Sequence, residues 1–584
     1  MQITAPSGIW RSWWRCGVTR VSSSCCSSTA PAGTVAATEM EARLQWKADA
    51  GAVAATAAAI CLLVFLPALT CGFVNLDDHE YVLNNPLIRK LDPEGLAKVF
   101  SGSHAGFWMP LTWMSLALDY HFWGLNPLGY HLTNILLHSA NTGLVVLVAD
   151  RLMSRRVSEE HGGQVKYLYP LSLLLAGLLW GVHPLRVESV AWVTERKDVL
   201  NGLFAFSSLL CYLRYVRESD ENGSGLPAYL FSLFLFVCSL MAKPVTVVLP
   251  LVLLVLDWYP LGRFRKYNYI RTVIEKVPFL ACSMAMAVLT LVFASHNGIL
   301  ASTDSLTPLQ RLLISGAAIF DYCRLMLLPA GIMPLHIIDL AELATYALKT
   351  AAIVMAGAVL YLSRRKRAII AAALCLILPL LPVLAFFQNG LQAFAARFSY
   401  LPSVAPTILL SSLCLVASKP SGDGRLKRLL PLLAAVLIFA CYATATVLQI
   451  GVWKSTETVW SRVIQIKPSG RAYKERGLYR LAVGNISAAA GDLAMSLEYA
   501  RRAELPEIFN LHAYLGEALR LQQKYVEAVD EFSSAISLCP YGGYYFRRGL
   551  ALEGVGRMNE AAADFRRAGN TPAPLVWLER NSCD

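Results

Sequence analysis

Apolar runs recur along the chain at residues 52–72, 131–149, 167–182, 199–215, 228–242, 245–258, 278–295, 312–328, 346–362, 368–387, 402–417 and 429–452. A membrane-crossing helix takes about 20 such residues. The pattern therefore predicts an all-α fold, a polytopic bundle of membrane helices. A long polar interval, 73–130, follows the first run, and the apolar pattern stops after Trp453.

The loops decide which runs cross. Basic residues collect at 151–166, 214–217, 263–276, 364–367 and 419–428, and the positive-inside rule puts all five on the cytoplasmic side. Three runs lie between Lys276 and Arg364, and three crossings cannot return to one side. The run 312–328 carries Asp321 and Arg324, so it is expected to lie at the interface or re-enter. About eleven spans remain, with the N-terminus inside. The intervals 73–130, 183–198, 296–344 and 388–401, and everything after Trp453, then share the outer face. The expected domains are a disordered segment at 1–50, a membrane domain at 51–452 and a soluble domain at 453–584.

Composition agrees with this division. The chain is 55% hydrophobic and 16% charged, below the charge content of a soluble protein of this length. Its net charge of +12 sits in short loops between apolar runs, which argues for a membrane and against nucleic acid. The 14 cysteines are scattered, without CxxC or metal spacing. Cys539 and Cys583 fall in the soluble part, where pairing stays open. No signal-peptide core precedes Ala52; residues 1–39, including SSSCCSSTAPAG, are expected to be disordered or to reflect the choice of start site.

The stretch 180–201, WGVHPLRVESVAWVTERKDVLN, presses His183, Arg186, Glu188, Glu195, Arg196, Lys197 and Asp198, with Trp192, between two apolar runs. Charges in that position are costly unless they line a wet cavity or an interface. Arg186, Arg196 and Lys197 break the positive-inside trend, and Lys243 and Arg397 add cations on the same face. Such a cluster suits a phosphate or diphosphate headgroup; the alternative is snorkelling at helix ends. Asp77 and Asp78, just after the first run, offer a carboxylate that can act as a general base on a hydroxyl, or an N-cap pair for LDDHEYV. The histidines of the long loop match no compact metal motif. No obligatory cofactor or metal is expected, although one hydrated divalent cation between Asp77 and a donor phosphate stays open.

Beyond Trp453 the chain repeats. Gly477, Gly516 and Gly549 head three units, Ala489, Ala528 and Ala561 fall twelve residues later, and Ser496, Ala535 and Ala568 seven beyond those. The last two units are 33 residues apart, and an insertion around ARRAELPE lengthens the first pair. Small residues at these spacings let antiparallel helices pack closely. This is the tetratricopeptide pattern, a solenoid with a concave surface for a peptide or helix, or a structural cap.

FVNLDDHEYVLNNP, WMPLTWMSLALDYHFWGLNPLGYHLTNILLH, WGVHPLRVESVAWVTERKDVL, LMAKPVTVVLPLVLLVLDWYPLGR and ARFSYLP, followed by these repeats, resemble the transmembrane and tetratricopeptide-repeat O-mannosyltransferases of animals and their bacterial relatives. The resemblance covers about 73–467 plus the repeats and looks closer to the bacterial branch. It implies a GT-C glycosyltransferase that takes a sugar from a polyprenyl or dolichyl phosphate and transfers it with inversion on the extracytoplasmic side. For a bacterial member that means the inner membrane and a periplasmic protein or glycan acceptor. The family's acidic pair falls on Asp77 and Asp78, and its HPxxxExVAW…ERKD loop on His183, Pro184, Glu188, Trp192, Arg196, Lys197 and Asp198. Tyr400 closes the Arg-aromatic-x-Tyr motif as a supporting residue. Two positions depart from the bacterial pattern. Trp108-Met109-Pro110 stands where Trp-His-Pro is usual, and Ala396 stands where an acidic residue is usual before Arg397; both bear on acceptor use or activity. A non-catalytic scaffold is the competing reading. A lipid-sugar transporter is disfavoured because the membrane halves show no repeat.

Overall fold

The computed structural model describes residues 50–160, 168–267, 269–296, 306–362, 367–385, 392–417, 425–502 and 508–569. The expectations for residues 1–49, for much of the basic loops 151–166, 364–367 and 419–428, for the centre of the 503–507 insertion and for Cys583 lie outside the described residues.

The described chain is overwhelmingly helical. Helix α1 is Ala50–Thr70, ending in a 3-10 turn. The polar interval then folds into helices α2 (Pro93–Ser101) and α3 (Pro110–Trp123), and α4 (Pro127–Glu160) returns. Tyr81, Val82, Trp113, Leu116 and Tyr130 pack there with Val193 as one buried cluster, so the interval is a folded layer. Gly177, on α5 (Leu168–Gly181), shows how closely the bundle packs: a Cβ there would lie 2.5 Å from Val146 and 3.3 Å from Ala57. Only a residue without a side chain lets α1, α4 and α5 meet.

Pro184 breaks the next stretch. Helix α6 (Val187–Ala191) is bent 49° from α5, and α7 (Arg196–Asn222) begins after a 3-10 turn. There follow α8 (Leu226–Ala242), α9 (Leu249–Trp258), the short α10 (Arg263–Lys266) and α11 (Tyr269–Ile274), and α12 (Val277–His296). Then come α13 (Pro308–Leu327), α14 (Leu343–Leu362), α15 (Arg367–Ile377), α16 (Val404–Ala417) and α17 (Arg425–Val452). Strands β1 (His336–Ile337) and β2 (Gln392–Phe394) pair antiparallel.

Among the described residues six helices are long and apolar enough to cross a membrane, the α5–α6 pair would make a bent seventh, and four shorter apolar helices accompany them. Eleven crossings require the bent pair and all four short helices to span as well. Helix α13 meets neither test; its Asp321 is 2.8 Å from Lys349 of α14.

After Trp453 run α18 (Thr456–Ile466), α19 (Gly470–Ala482), α20 (Ile486–Arg502), α21 (Ile508–Leu521), α22 (Tyr525–Leu538), α23 (Gly542–Val555) and α24 (Met558–Ala568). Each packs on the next. A Cβ on Gly477, Gly516 or Gly549 would come within 3.0, 3.2 and 2.6 Å of Leu493, Phe532 and Phe565, and Ala489, Ala528 and Ala561 are buried opposite. The first and last of these units also share an ion pair at one spacing: Arg476 with Asp492 and Arg548 with Asp564, both at 2.7 Å. Cys539 is disulfide-bonded.

Candidate active site

The turn after α1 is fixed by one carboxylate and presents the other. Asp78 is fully buried. Its Oδ2 accepts from the Val74 N–H at 2.8 Å, and its Oδ1 accepts from the Thr194 N–H at 3.0 Å and from the Thr194 hydroxyl. Burial pushes its carboxyl up to about 6 against the pull of those donors. Although Asp78 stands at the N-cap of the helical turn His79–Leu83, its side chain makes no capping bond to it. Asp77 faces the other way, its side chain about half exposed and 3.7 Å from the Lys197 Nζ.

Lys197 lies over the Tyr81 ring at 4.5 Å and near Trp192 at 5.7 Å. Beside it Glu195, wholly buried, meets three cations: Lys197 at 3.2 Å, Lys243 at 3.3 Å and Arg397 at 3.2 Å. Lys243 also pairs with Asp198, and Asp198 accepts from Ser189 at 3.1 Å. Arg397 pairs with Glu188, donates to Gln392 at 2.9 Å, and lies over the Trp192 and Phe398 rings. Burial opposes its charge, but Glu188 and Glu195 outweigh that and hold the guanidinium above its ordinary range. Such burial of charge is tolerable because Lys197, Lys243 and Arg397 are each paired with a carboxylate.

Of the cations expected on a donor phosphate, three converge and two do not. Arg196 is wholly buried on Asp119, at 2.5 Å, and also donates to Asn134, Ser115 at 2.8 Å and the Tyr130 carbonyl at 2.9 Å. It clamps α7 to α3 and α4. It and Lys197 start the same helix, and successive side chains point about 100° apart. Arg186 is buried behind Tyr400. One nitrogen donates to Ser399 at 2.6 Å, its Nε and Nη1 have no hydrogen-bond partner among the described residues, and the Trp180 and Tyr400 rings lie 5.6 and 5.5 Å away. The converging cations are themselves balanced by Glu188, Glu195, Asp198 and Asp77. The expected open patch of positive charge is therefore a neutralised network.

Two expected supporting residues are structural hubs. His183 caps the 184–186 turn, accepting from the Leu185 N–H at 3.2 Å, and its other nitrogen meets the Met326 carbonyl at 3.1 Å. The Tyr400 hydroxyl lies 2.8 Å from His138 and accepts from Asn141 at 2.9 Å, and its ring meets Trp180.

Asp77, Trp192, Gln392 and Arg397 line one side of a cavity of about 300 Å³, and Trp460, Arg471 and Glu475, from α18 and α19, line the other. Hydrogen bonds join the two sides. Trp460 Nε1 donates to the Asn75 side chain at 2.8 Å, the Asn75 N–H donates to Thr456 at 3.0 Å, and the Gly72 N–H donates to the Lys454 carbonyl at 3.0 Å. Trp192 stacks on Trp453 with ring centres 5.3 Å apart. Among the described residues no group of three histidine, cysteine or acidic side chains is arranged to hold a metal.

Three comparisons bear on what such a cavity serves. The chain is 29% identical over 228 residues to the human Protein O-mannosyl-transferase TMTC4, 36% over 210 residues to the Drosophila melanogaster Protein O-mannosyl-transferase Tmtc1, and 32% over 226 residues to the Xenopus laevis Protein O-mannosyl-transferase tmtc2. These stretches are 37%, 34% and 37% of this chain. Over these stretches the chain is similar to the TMTC proteins. It matches only 30%, 22% and 25% of those relatives' own lengths. No family model matches the chain.

Sequence reasoning named Glu195 as one charge among several and gave it no role, yet it is the carboxylate that gathers three cations. Asn75, Trp460, Arg471 and Glu475 were not singled out. Asn75 is in the turn itself, and its partners Trp460 and Glu475 stand 385 and 400 positions away, a separation with no local signature. Arg476 and Arg548 did carry a signal, each standing one residue before a repeat glycine and 16 before an aspartate.

Proposed function

We propose that this chain is a membrane glycosyltransferase of GT-C type. It would move a sugar, mannose by the names of its relatives, from a polyprenyl-phosphate carrier to a protein hydroxyl on the extracytoplasmic side. The observation that carries the reading is Asp77, held beside Lys197 at a cavity that the membrane helices and the C-terminal helices share. Asp77 takes the proton of the acceptor hydroxyl. The oxygen forms a bond to the anomeric carbon, the bond from that carbon to the phosphate oxygen breaks with inversion, and the phosphate leaves with the electron pair. Arg397, at the same cavity, steadies the charge that grows on the leaving phosphate. Asp78 fixes the turn.

The proposed frame is a multi-pass domain at 51–452 with eleven crossings and a tetratricopeptide domain at 453–584 that recruits the acceptor. The N-terminus would be cytoplasmic and the membrane the inner membrane of a bacterium. The disulfide at Cys539 supports an oxidising compartment for the repeats. No cofactor is required by this scheme, and a divalent cation beside Asp77 remains compatible with it.

The test is transfer from mannosyl-phosphoryl-polyprenol to a mixture of serine- and threonine-containing peptides by the full chain in nanodiscs. Asp77→Asn should lower the rate at least about 100-fold, the lower range for a general base, with folding intact. Transfer at the wild-type rate would remove the catalytic claim. The neutralised cations favour one rival, a scaffold that assembles other envelope proteins, in which Asp77→Asn is silent and loss of α18–α24 reproduces the whole defect.

A further inference from the structure

The cavity has two cationic linings of different standing. Arg397 is already committed to Glu188, Glu195 and Gln392. Arg471, at the start of α19, is exposed and has no ion pair or hydrogen bond among the described residues. Glu475, one helical turn on, lines the cavity with it and is itself 3.4 Å from Lys474. Arg471 thus brings a second positive charge, beside Arg397, to the cavity that Asp77 lines, one turn from the Glu475–Lys474 pair.

The two sides also differ in what reaches them. Arg397 continues into a smaller recess walled by Lys243, Pro379, Leu401 and Pro402, residues of the membrane domain. In the transferase reading above, that is the side on which a carrier lipid would arrive. Arg471 belongs to the helices beyond Trp453, away from any apolar run. A polypeptide laid between α19 and the Asp77 turn passes it.

We propose that Arg471 is a specificity-determining residue: it selects acceptor segments that carry an acidic side chain close to the modified serine or threonine. This rests on the transferase reading above and adds the chemistry of the acceptor. An exposed cation facing an acidic side chain in a partly enclosed cavity gains more than the same pair in open water. A basic flank would meet the cation unpaired.

The experiment uses the full chain in nanodiscs with mannosyl-phosphoryl-polyprenol and three synthetic peptides. The peptides share one threonine and are flanked by glutamates, by glutamines or by lysines. Wild type should use the glutamate peptide with a kcat/KM at least tenfold above the lysine peptide. Arg471→Glu should reverse that order, through the peptide KM, with the KM for the donor unmoved. Arg471→Gln, which keeps the length and removes the charge, should bring the three peptides within about twofold of one another, and it serves should the reversal variant misfold. An unchanged peptide order in these variants overturns the inference and leaves the transferase standing. So does a raised donor KM with the peptide order kept, which would make Arg471 a phosphate contact. Wild type that modifies none of the peptides sinks the transferase reading, and this inference with it.

Discussion

Single residues divide here by what surrounds them. Asp77 and Asp78 are adjacent, and successive side chains of a turn diverge; one meets a cavity and the other three donors. That difference makes a pH prediction for Asp78. Its carboxyl is raised from 3.8 to about 6 on folding, so the folded state binds the proton more tightly than the unfolded chain. Its contribution to stability is complete below pH 4 and is lost as pH rises through 6, roughly 3 kcal/mol by linkage at 1.36 kcal/mol per unit. The detergent-solubilised protein should melt at a lower temperature at pH 7 than at pH 4.5. Asp78→Asn should reduce that difference by its own share, and an equal slope in the variant would refute the assignment. Glu195→Gln removes the buried charge that Lys197, Lys243 and Arg397 share. Breaking a buried pair costs about 3–5 kcal/mol, so thermal unfolding of this variant should show a loss of that order, with no rescue by salt.

At the scale of elements, the turn that carries Asp77 is held from outside its own sequence. Asn75 is gripped by Trp460 and Thr456 on α18, and Gly72 by Lys454. Trp460→Phe keeps an aromatic ring of smaller volume and deletes one hydrogen bond of about 1 kcal/mol. It should speed amide exchange at residues 74–78 while α20–α24 keep their protection; unchanged exchange at the turn would mean that α18 does not hold it. Within the C-terminal stack, Gly549→Ala would place a Cβ 2.6 Å from the Phe565 ring. Overpacking of this kind costs about 1–3 kcal/mol, readable as a lower melting point of the C-terminal helices. The glycine and alanine spacing was legible in the sequence because helix-on-helix packing repeats locally. The strap between α18 and the first turn was not legible, because it pairs residues whose only relation is tertiary.

At the largest scale, the apolar runs announced a membrane protein, and among the described residues six helices meet the length and apolarity of a span. Orientation is a separate question and has its own test. A reporter fused after Asp584 should be active outside the cytoplasm, and Cys539 should resist maleimide until a reductant is added. Cytoplasmic reporter activity with a freely reactive Cys539 would reverse the proposed topology and part the C-terminal helices from an extracytoplasmic site.

Sequence by itself determined the helical class, the apolar runs, the polar interval after the first of them and the periodic C-terminal packing. Each follows from residues near one another in the chain, where a 3.6-residue period or a run of apolar side chains dictates the local outcome. It also singled out 183–198 as charged against its apolar surroundings. The tertiary structure alone decided which of those charges meet. It turned Arg196 toward Asp119, hid Arg186 behind Tyr400, and drew Lys197, Lys243 and Arg397 onto Glu195. It also brought Arg471 to the cavity of Asp77. A charge's partner depends on distance in space, and chain order carries no record of that distance until the helices have packed.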